Sequence, residues 1–275
     1  MPTLTNRQPY IYYETLGDVA RPPLLIIAGI TDYTAKCQWQ ASALSDDFYV
    51  ILFDNRGAGR SETPQPGYTM DDMADDAAAV LDTLDIDSAH VFGFSMGGMI
   101  AQHFALRYPQ RVRRLVLGCT TAGGALTVQP EEQVVTALMN PLSTGDRRQD
   151  FYAGMWISLS DACITGQLDI VERLADLAAE NPQTPIGYAG QMQAVLSHDV
   201  SDRLDEIHAP TLVLHGETDR LIPPENGRLL AAAIPGARFI PYPAAGHLFF
   251  IERADEANRD IRRFLLERES IATGQ

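Results

Sequence analysis

The sequence predicts an α/β chain: a mostly parallel, doubly wound sheet with a helical block inserted in it. Three observations carry this. Short apolar runs without polar alternation recur at Leu24–Ala28, Tyr49–Phe53, Ala89–Phe92 and Leu115–Leu117, as expected of strands covered on both faces. Helix-patterned segments separate them. Between about residue 123 and residue 204 the strand-like runs stop, and they resume at Thr211.

Taken in order, Tyr10–Tyr13 reads as an edge strand, and Leu24–Ala28 follows the breaker Pro22-Pro23. Helices are expected at Lys36–Leu44, Met70–Leu84 and Gly98–Tyr108, interleaved with the strands. The inserted block should hold helices near Glu131–Met139, Arg147–Leu159, Leu168–Ala179 and Ile186–Leu196. Strands return at Thr211–His215 and Arg238–Pro241, a last helix runs from Glu252 towards Glu267, and Glu269–Gln275 should fray. The expected organisation is a core domain of residues 1–122 and 205–275, with residues 123–204 as a helical cap over the carboxyl edge of the sheet. No internal repeat or low-complexity tract interrupts it.

Composition narrows the partners. With 45% hydrophobic and 21% charged residues over 275 positions, the chain can bury one large α/β core. A net charge of −15 repels nucleic acid and anionic membranes, so neither is an expected partner. Cys37, Cys119 and Cys163 are widely spaced, with no zinc-type spacing, which fits a reducing cytoplasm and argues against a disulfide framework or a metal site. No apolar run approaches a membrane span, and the first residues lack the apolar core of a signal peptide. A small-molecule substrate is the expected partner, and a homo-oligomer is left open.

The motif with most chemical content is Gly93-Phe94-Ser95-Met96-Gly97, set between a strand and a helix. A G-x-S-x-G in that setting is a nucleophile elbow, a turn sharp enough to present the serine hydroxyl. Alone the pattern is common; its strand–turn–helix context gives it weight. Met96 would offer its amide at a helix N-terminus, where a negative oxygen is favoured.

A serine nucleophile needs a base and a group to orient that base. Of six histidines, His198, His208, His215 and His247 follow Ser95 at a useful distance. His198 falls in the insert, His208 at a strand entrance and His215 at a strand end. His247 lies in the loop after the Arg238–Pro241 strand, where it can meet Ser95. For the acid, Asp219 and Glu217 compete in the loop after Thr211–His215, with Asp219 preferred before the Leu221-Ile222-Pro223 that leads into a helix.

These stretches together resemble the α/β-hydrolase fold superfamily, in its branch of small capped serine hydrolases. The resemblance rests on Leu24–Gly29, Asp54–Ser61, Gly93–Gly98, Pro210–Asp219 and Gly246-His247, and covers almost the whole chain. It implies a Ser95–Asp219–His247 triad, an oxyanion hole from the backbone N–H groups of Ile30 and Met96, and no cofactor or metal. Many relatives carry His-Gly where this chain has Ala28-Gly29-Ile30-Thr31.

Rival motifs are weaker. Gly57-Ala58-Gly59 has Glu62 where a dinucleotide fingerprint needs its third glycine, and no phosphate loop or H-E-x-x-H occurs. The Asp54–Ser61 loop then reads as a structural turn. Ser95 argues against the dehalogenase and epoxide-hydrolase branches, which carry Asp there. Esterase, enol-lactonase, methylesterase or thioesterase chemistry remains. A receptor-like binding protein with vestigial turnover, or perhydrolase activity, is the alternative. Asp32, Trp39 and Trp156 are candidate pocket residues; Cys37 and Tyr33 stand beside them in the first loop. Trp156 with Phe151, Tyr152, Met155 and Leu159 forms an apolar stripe that reads more readily as core.

Overall fold

The computed structural model describes residues 3–4, 8–140, 144–180 and 183–267. The tail expected to fray lies outside the described residues. Among the described residues eight strands form one sheet: β1 (Thr3–Leu4), β2 (Tyr12–Leu16), β3 (Pro23–Ile27), β4 (Tyr49–Phe53), β5 (Ala89–Phe94), β6 (Val112–Gly118), β7 (Thr211–Gly216) and β8 (Arg238–Tyr242). Their order is β1-β2-β4-β3-β5-β6-β7-β8. Every pair from β4 to β8 is parallel, and β1 and β2 run antiparallel at one side.

Helices α1 (Gln38–Leu44), α2 (Met70–Thr83) and α3 (Met96–Arg107) precede the insert. The insert holds α4 (Glu132–Met139), α5 (Arg147–Ser158), α6 (Asp161–Gly166), α7 (Leu168–Glu180) and α8 (Pro185–Leu196). After it come α9 (Glu225–Ala233), α10 (Phe249–Glu252) and α11 (Ala254–Leu265).

The continuous apolar runs are explained by two cores, one on each face of the sheet. Side chains alternate across a strand. Leu25, Ile27, Ile51, Val91, Leu117 and Val213 therefore point to one face, against Met73, Ile100 and Phe104 of α2 and α3 and Leu230 of α9. Leu24, Ile26, Val50, Phe92, Val116 and Leu214 point to the other, against Ala41 and Leu44 of α1, Phe249 and Phe250 of α10, and Ile261 of α11. Over these runs neither face meets water, so neither needs polar residues.

The insert is pinched shut at its base. Gly123 bridges Asp199, and the Val200 amide donates to the Ala122 carbonyl at 2.9 Å. His198 Nε2 and Gln102 Nε2 both reach the Thr121 carbonyl, at 3.1 and 2.9 Å. Among the described residues of this segment, side-chain caps start α5 (Asp146), α6 (Ser160) and α8 (Thr184).

Three expectations shift. The strand expected at Tyr10–Tyr13 runs Tyr12–Leu16 and is not an edge, because β1 pairs outside it. Tyr10 instead exchanges hydrogen bonds with Glu62. Helix α6 is a further element, only six residues long and too short to show a helical period. The last helix is divided at Arg253, whose φ of −125° and ψ of 42° leave the helical region. Among the described residues no helix is long and apolar enough to cross a membrane.

Phe92 is fully buried at the middle of the second core, edge-on to Phe250 at 6.5 Å between ring centroids. Phe92→Ala should cost about 3–5 kcal/mol in urea unfolding. A loss under about 1 kcal/mol would show that this face is not close-packed.

Candidate active site

Ser95 stands alone between the end of β5 and the start of α3, with φ 55° and ψ −126°. Such backbone strain costs a non-glycine residue about 1–3 kcal/mol and persists only when its surroundings fix it. Here the Ser95 amide donates to the Gly118 carbonyl at 2.9 Å, and its own carbonyl accepts from the Gly98 amide and from Thr120 Oγ1. The flanking glycines are required by contact. A Cβ on Gly93 would lie 2.2 Å from the Gly97 carbonyl oxygen, and one on Gly97 would lie 2.0 Å from that of Ile27. Ser95 is thus pushed to the carboxyl edge of the sheet at the crossing of β3, β5 and α3.

Asp219 and His247 lie in the loops after β7 and β8, at the same carboxyl edge of the parallel sheet. His247 Nδ1 lies 2.8 Å from Asp219 Oδ2, and both residues are buried. The other carboxylate oxygen accepts the amides of Leu221 and Ile222, each at 2.9 Å. Burial alone would raise the Asp219 carboxyl. The neighbouring His247, with hydrogen bonds from His215 and His247, outweighs it and holds the group at about 2. The rival Glu217 instead pairs with Arg228 at 3.2 Å on the surface.

The loop after β3 supplies the third part. A Cβ on Gly29 would stand 3.2 Å from Ser95 Cβ and 3.1 Å from Asp32 Oδ2, so loop and elbow touch. Among the described residues, neither the Ile30 nor the Met96 amide donates a hydrogen bond to the protein. The departure from His-Gly is met by other braces. Asn55 Nδ2 donates to the Ala28 carbonyl at 2.9 Å, and Asp54 accepts the Thr34 amide at 2.7 Å and the Arg60 amide at 2.8 Å. The Asp54–Ser61 turn is therefore a buttress of this loop as well as a turn.

The insert reaches all three loops. Gln191 of α8, fully buried, accepts the Thr31 amide at 3.1 Å and donates to the Arg56 carbonyl at 2.9 Å. Arg220, next to Asp219, donates to the Trp156 carbonyl at 2.9 Å and pairs with Asp161. Glu252 accepts the Gly246 amide, next to His247, and the Ser160 amide, both at 3.1 Å.

Of the pocket candidates, Asp32 is buried beside Ser95. Trp156 is half-buried and belongs to neither core, whereas Phe151, Tyr152, Met155 and Leu159 of the same stripe pack on the second one. Trp39 also packs on that core, its carbonyl accepting from Asn258. Cys37 is buried within it, and Tyr33 donates its hydroxyl proton to the Leu177 carbonyl. Sequence reasoning missed Gln191 and Glu252, and weighed His215 as a possible base without seeing its contact with Asp219. His215 Nε2 lies 3.1 Å from Asp219 Oδ2, and its only signal was its spacing of four from Asp219. The other two braces join residues too distant in sequence to leave a pattern.

A sheet of this order, with a strained serine and a buried acid–histidine pair on loops at its carboxyl edge, is the architecture of a hydrolase. The family model for the α/β hydrolase fold matches residues 22–150 and 168–254, and the chain belongs to that family. It is 35% identical over 272 residues to a poly(3-hydroxyalkanoate) depolymerase of Ectopseudomonas oleovorans, covering 94% of this chain and 93% of that one. It is 29% identical over 263 residues to 3-oxoadipate enol-lactonase 2 of Acinetobacter baylyi, covering 94% of each. Among solved structures, the enol-lactonase from Burkholderia xenovorans matches with a TM-score of 0.84 at 28% identity, over 96% of this chain and 98% of that one.

The depressed Asp219 carboxyl has a stability consequence of fixed sign. Its folded value of about 2 lies below the ordinary 3.8, so the stabilisation is present above about pH 4 and lost as pH falls towards 2. It should amount to roughly 2 kcal/mol. Urea unfolding of wild type and Asp219→Asn across that window should show a steeper acid loss in wild type. Parallel profiles would overturn the assignment.

Proposed function

We propose that the protein is a cofactor-free serine hydrolase that cleaves a small carboxylic ester or lactone through an acyl-enzyme. The observation that carries this reading is the 2.8 Å Asp219–His247 pair brought to the same sheet edge as the strained Ser95. Ester chemistry is favoured because the similar depolymerase and enol-lactonase are named for cleaving ester bonds.

In this reading Ser95 Oγ attacks the substrate carbonyl. His247, with Nδ1 turned to Asp219, takes the proton on Nε2 and returns it to the leaving alcohol. Asp219 keeps the imidazole in that tautomer and stabilises its charge. The free amides of Ile30 and Met96 receive the tetrahedral oxyanion, the latter at the N-terminus of α3, where the helix dipole adds to the attraction. Water then repeats the sequence on the acyl-enzyme. Residues 123–204 act as a cap on the core of residues 1–122 and 205–275, setting substrate choice without supplying the triad. Trp156, outside both cores, gives that cap an apolar wall for the substrate.

Ser95→Ala should fold normally and lose about four to six orders of magnitude in kcat on an ester panel. A fluorophosphonate probe should label Ser95 and not Ser61. Near-wild-type turnover by S95A would end the serine reading. Asp219→Asn should lose about 10⁴-fold, and Glu217→Gln far less.

Trp156→Ala should change the preference among acyl or alcohol groups by an amount worth roughly 1.5–3 kcal/mol at most, with Ser95 labelling intact. If the variant instead unfolds, the side chain is structural and the wall assignment falls.

A further inference from the structure

The oxyanion loop carries a charged pair that the proposed reaction does not use. Asp32 Oδ1 lies 2.5 Å from Lys36 Nζ, and the two side chains are only 10% and 17% exposed. The second oxygen, Oδ2, faces the elbow: it and Ser95 Cβ lie 3.1 and 3.2 Å from one point, the position of a Cβ on Gly29. Among the described residues nothing donates a hydrogen bond to Oδ2. In the free protein water can reach this oxygen; a bound acyl group that displaces the water without donating to Oδ2 leaves a carboxylate oxygen unsatisfied, which is costly.

The choice of cation is informative. Lys36 is the only lysine in the sequence, and every other basic residue is an arginine. A guanidinium fork grips both oxygens of a carboxylate, as Arg56 does with Asp76 at 2.6 and 2.8 Å. An ammonium is a point charge. It can hold one oxygen, offset the negative charge that would otherwise oppose an oxyanion nearby, and leave Oδ2 open as an acceptor.

Resting on the serine-hydrolase reading above, we infer that Asp32 and Lys36 form a specificity subsite for acyl groups that carry a hydroxyl close to the carbonyl, 3-hydroxyacyl esters above all. The Asp32 amide closes a turn onto the Gly29 carbonyl, so the carboxylate is fixed relative to the Ile30 amide. In a 3-hydroxyacyl group the hydroxyl folds back towards the carbonyl oxygen. With that oxygen at the Ile30 amide, the hydroxyl meets Asp32 Oδ2 and donates to it. An unsubstituted acyl chain leaves Oδ2 unpaired, and the discrimination comes from that penalty.

The test compares kcat/KM for the p-nitrophenyl esters of 3-hydroxybutyrate and butyrate, read as a ratio within each enzyme. Wild type should favour the 3-hydroxybutyrate by about tenfold or more, the worth of one hydrogen bond to a charged acceptor. Lys36→Arg, which keeps the charge but occupies both oxygens, should bring the ratio close to one. The Asp32→Ala/Lys36→Met double variant should do the same, with fluorophosphonate labelling of Ser95 reporting that its site is folded. A wild-type ratio near one, or a preference unchanged in both variants, overturns the subsite while leaving the serine reading in place. A preference seen only for a hydroxyl on the alcohol side, as in 2-hydroxyethyl against ethyl butyrate, also overturns it. If wild type cleaves neither ester and Ser95 is not labelled, both readings fall together.

Discussion

The close approach of α3 to β3 is the constraint on which the rest of the site depends. With no side chain at Gly97, the helix lies directly against the carbonyls of Ile27 and Ala28, where a Cβ would stand at 2.0 and 2.6 Å. That contact brings three things into one small volume: the end of β5 with Ser95, the first turn of α3 with the Met96 amide, and the loop after β3 with the Ile30 amide. The strained backbone of Ser95 is tolerable because it donates to the Gly118 carbonyl and accepts from Gly98 and Thr120, which holds it from both sides. Without the approach, two potential oxyanion donors would belong to different parts of the molecule.

Buried carboxylates organise the loops around this crossing, and each is satisfied in its own way. Asp54 spends its oxygens on the amides of Thr34 and Arg60 and so shapes the loop that follows β3. Asp219 divides its oxygens between two amides and two histidines, which keeps it ionised despite full burial. Glu252 ties the His247 loop to the start of α6, and burial pushes its carboxyl up against the hydrogen bonds that lower it. Asp32 differs from all three, because only one of its oxygens has a partner within the described chain.

The insert is coupled to the same loops through buried polar contacts. Gln191 links α8 to Thr31, a β-branched residue held at φ 64° next to Ile30. Arg220, the residue after Asp219, links that loop to α5. A movement of these helices would therefore be felt at both the loop after β3 and the loop after β7, so the insert and the proposed site are mechanically joined.

The sequence by itself determined the fold class, the parallel strands and the elbow. Those signals are local: a run of apolar residues, a period, and two glycines around a serine. It also singled out Asp219 and His247 as candidates for the proposed acid and base, because chain order and loop position are one-dimensional properties. The beginning of the sheet was blurred, since Tyr12–Leu16 is half-covered and its polar residues mask the strand. What only the tertiary structure decided is how the loops are held. The hydrogen bond of Gln191 to Thr31 spans 160 residues, and that of Glu252 to Ser160 spans 92. Whether Trp156 joins a core or stands apart from its own helical stripe, and which oxygen of Asp32 is left open, are likewise set by which elements meet in space. No periodicity or spacing along the chain encodes those meetings.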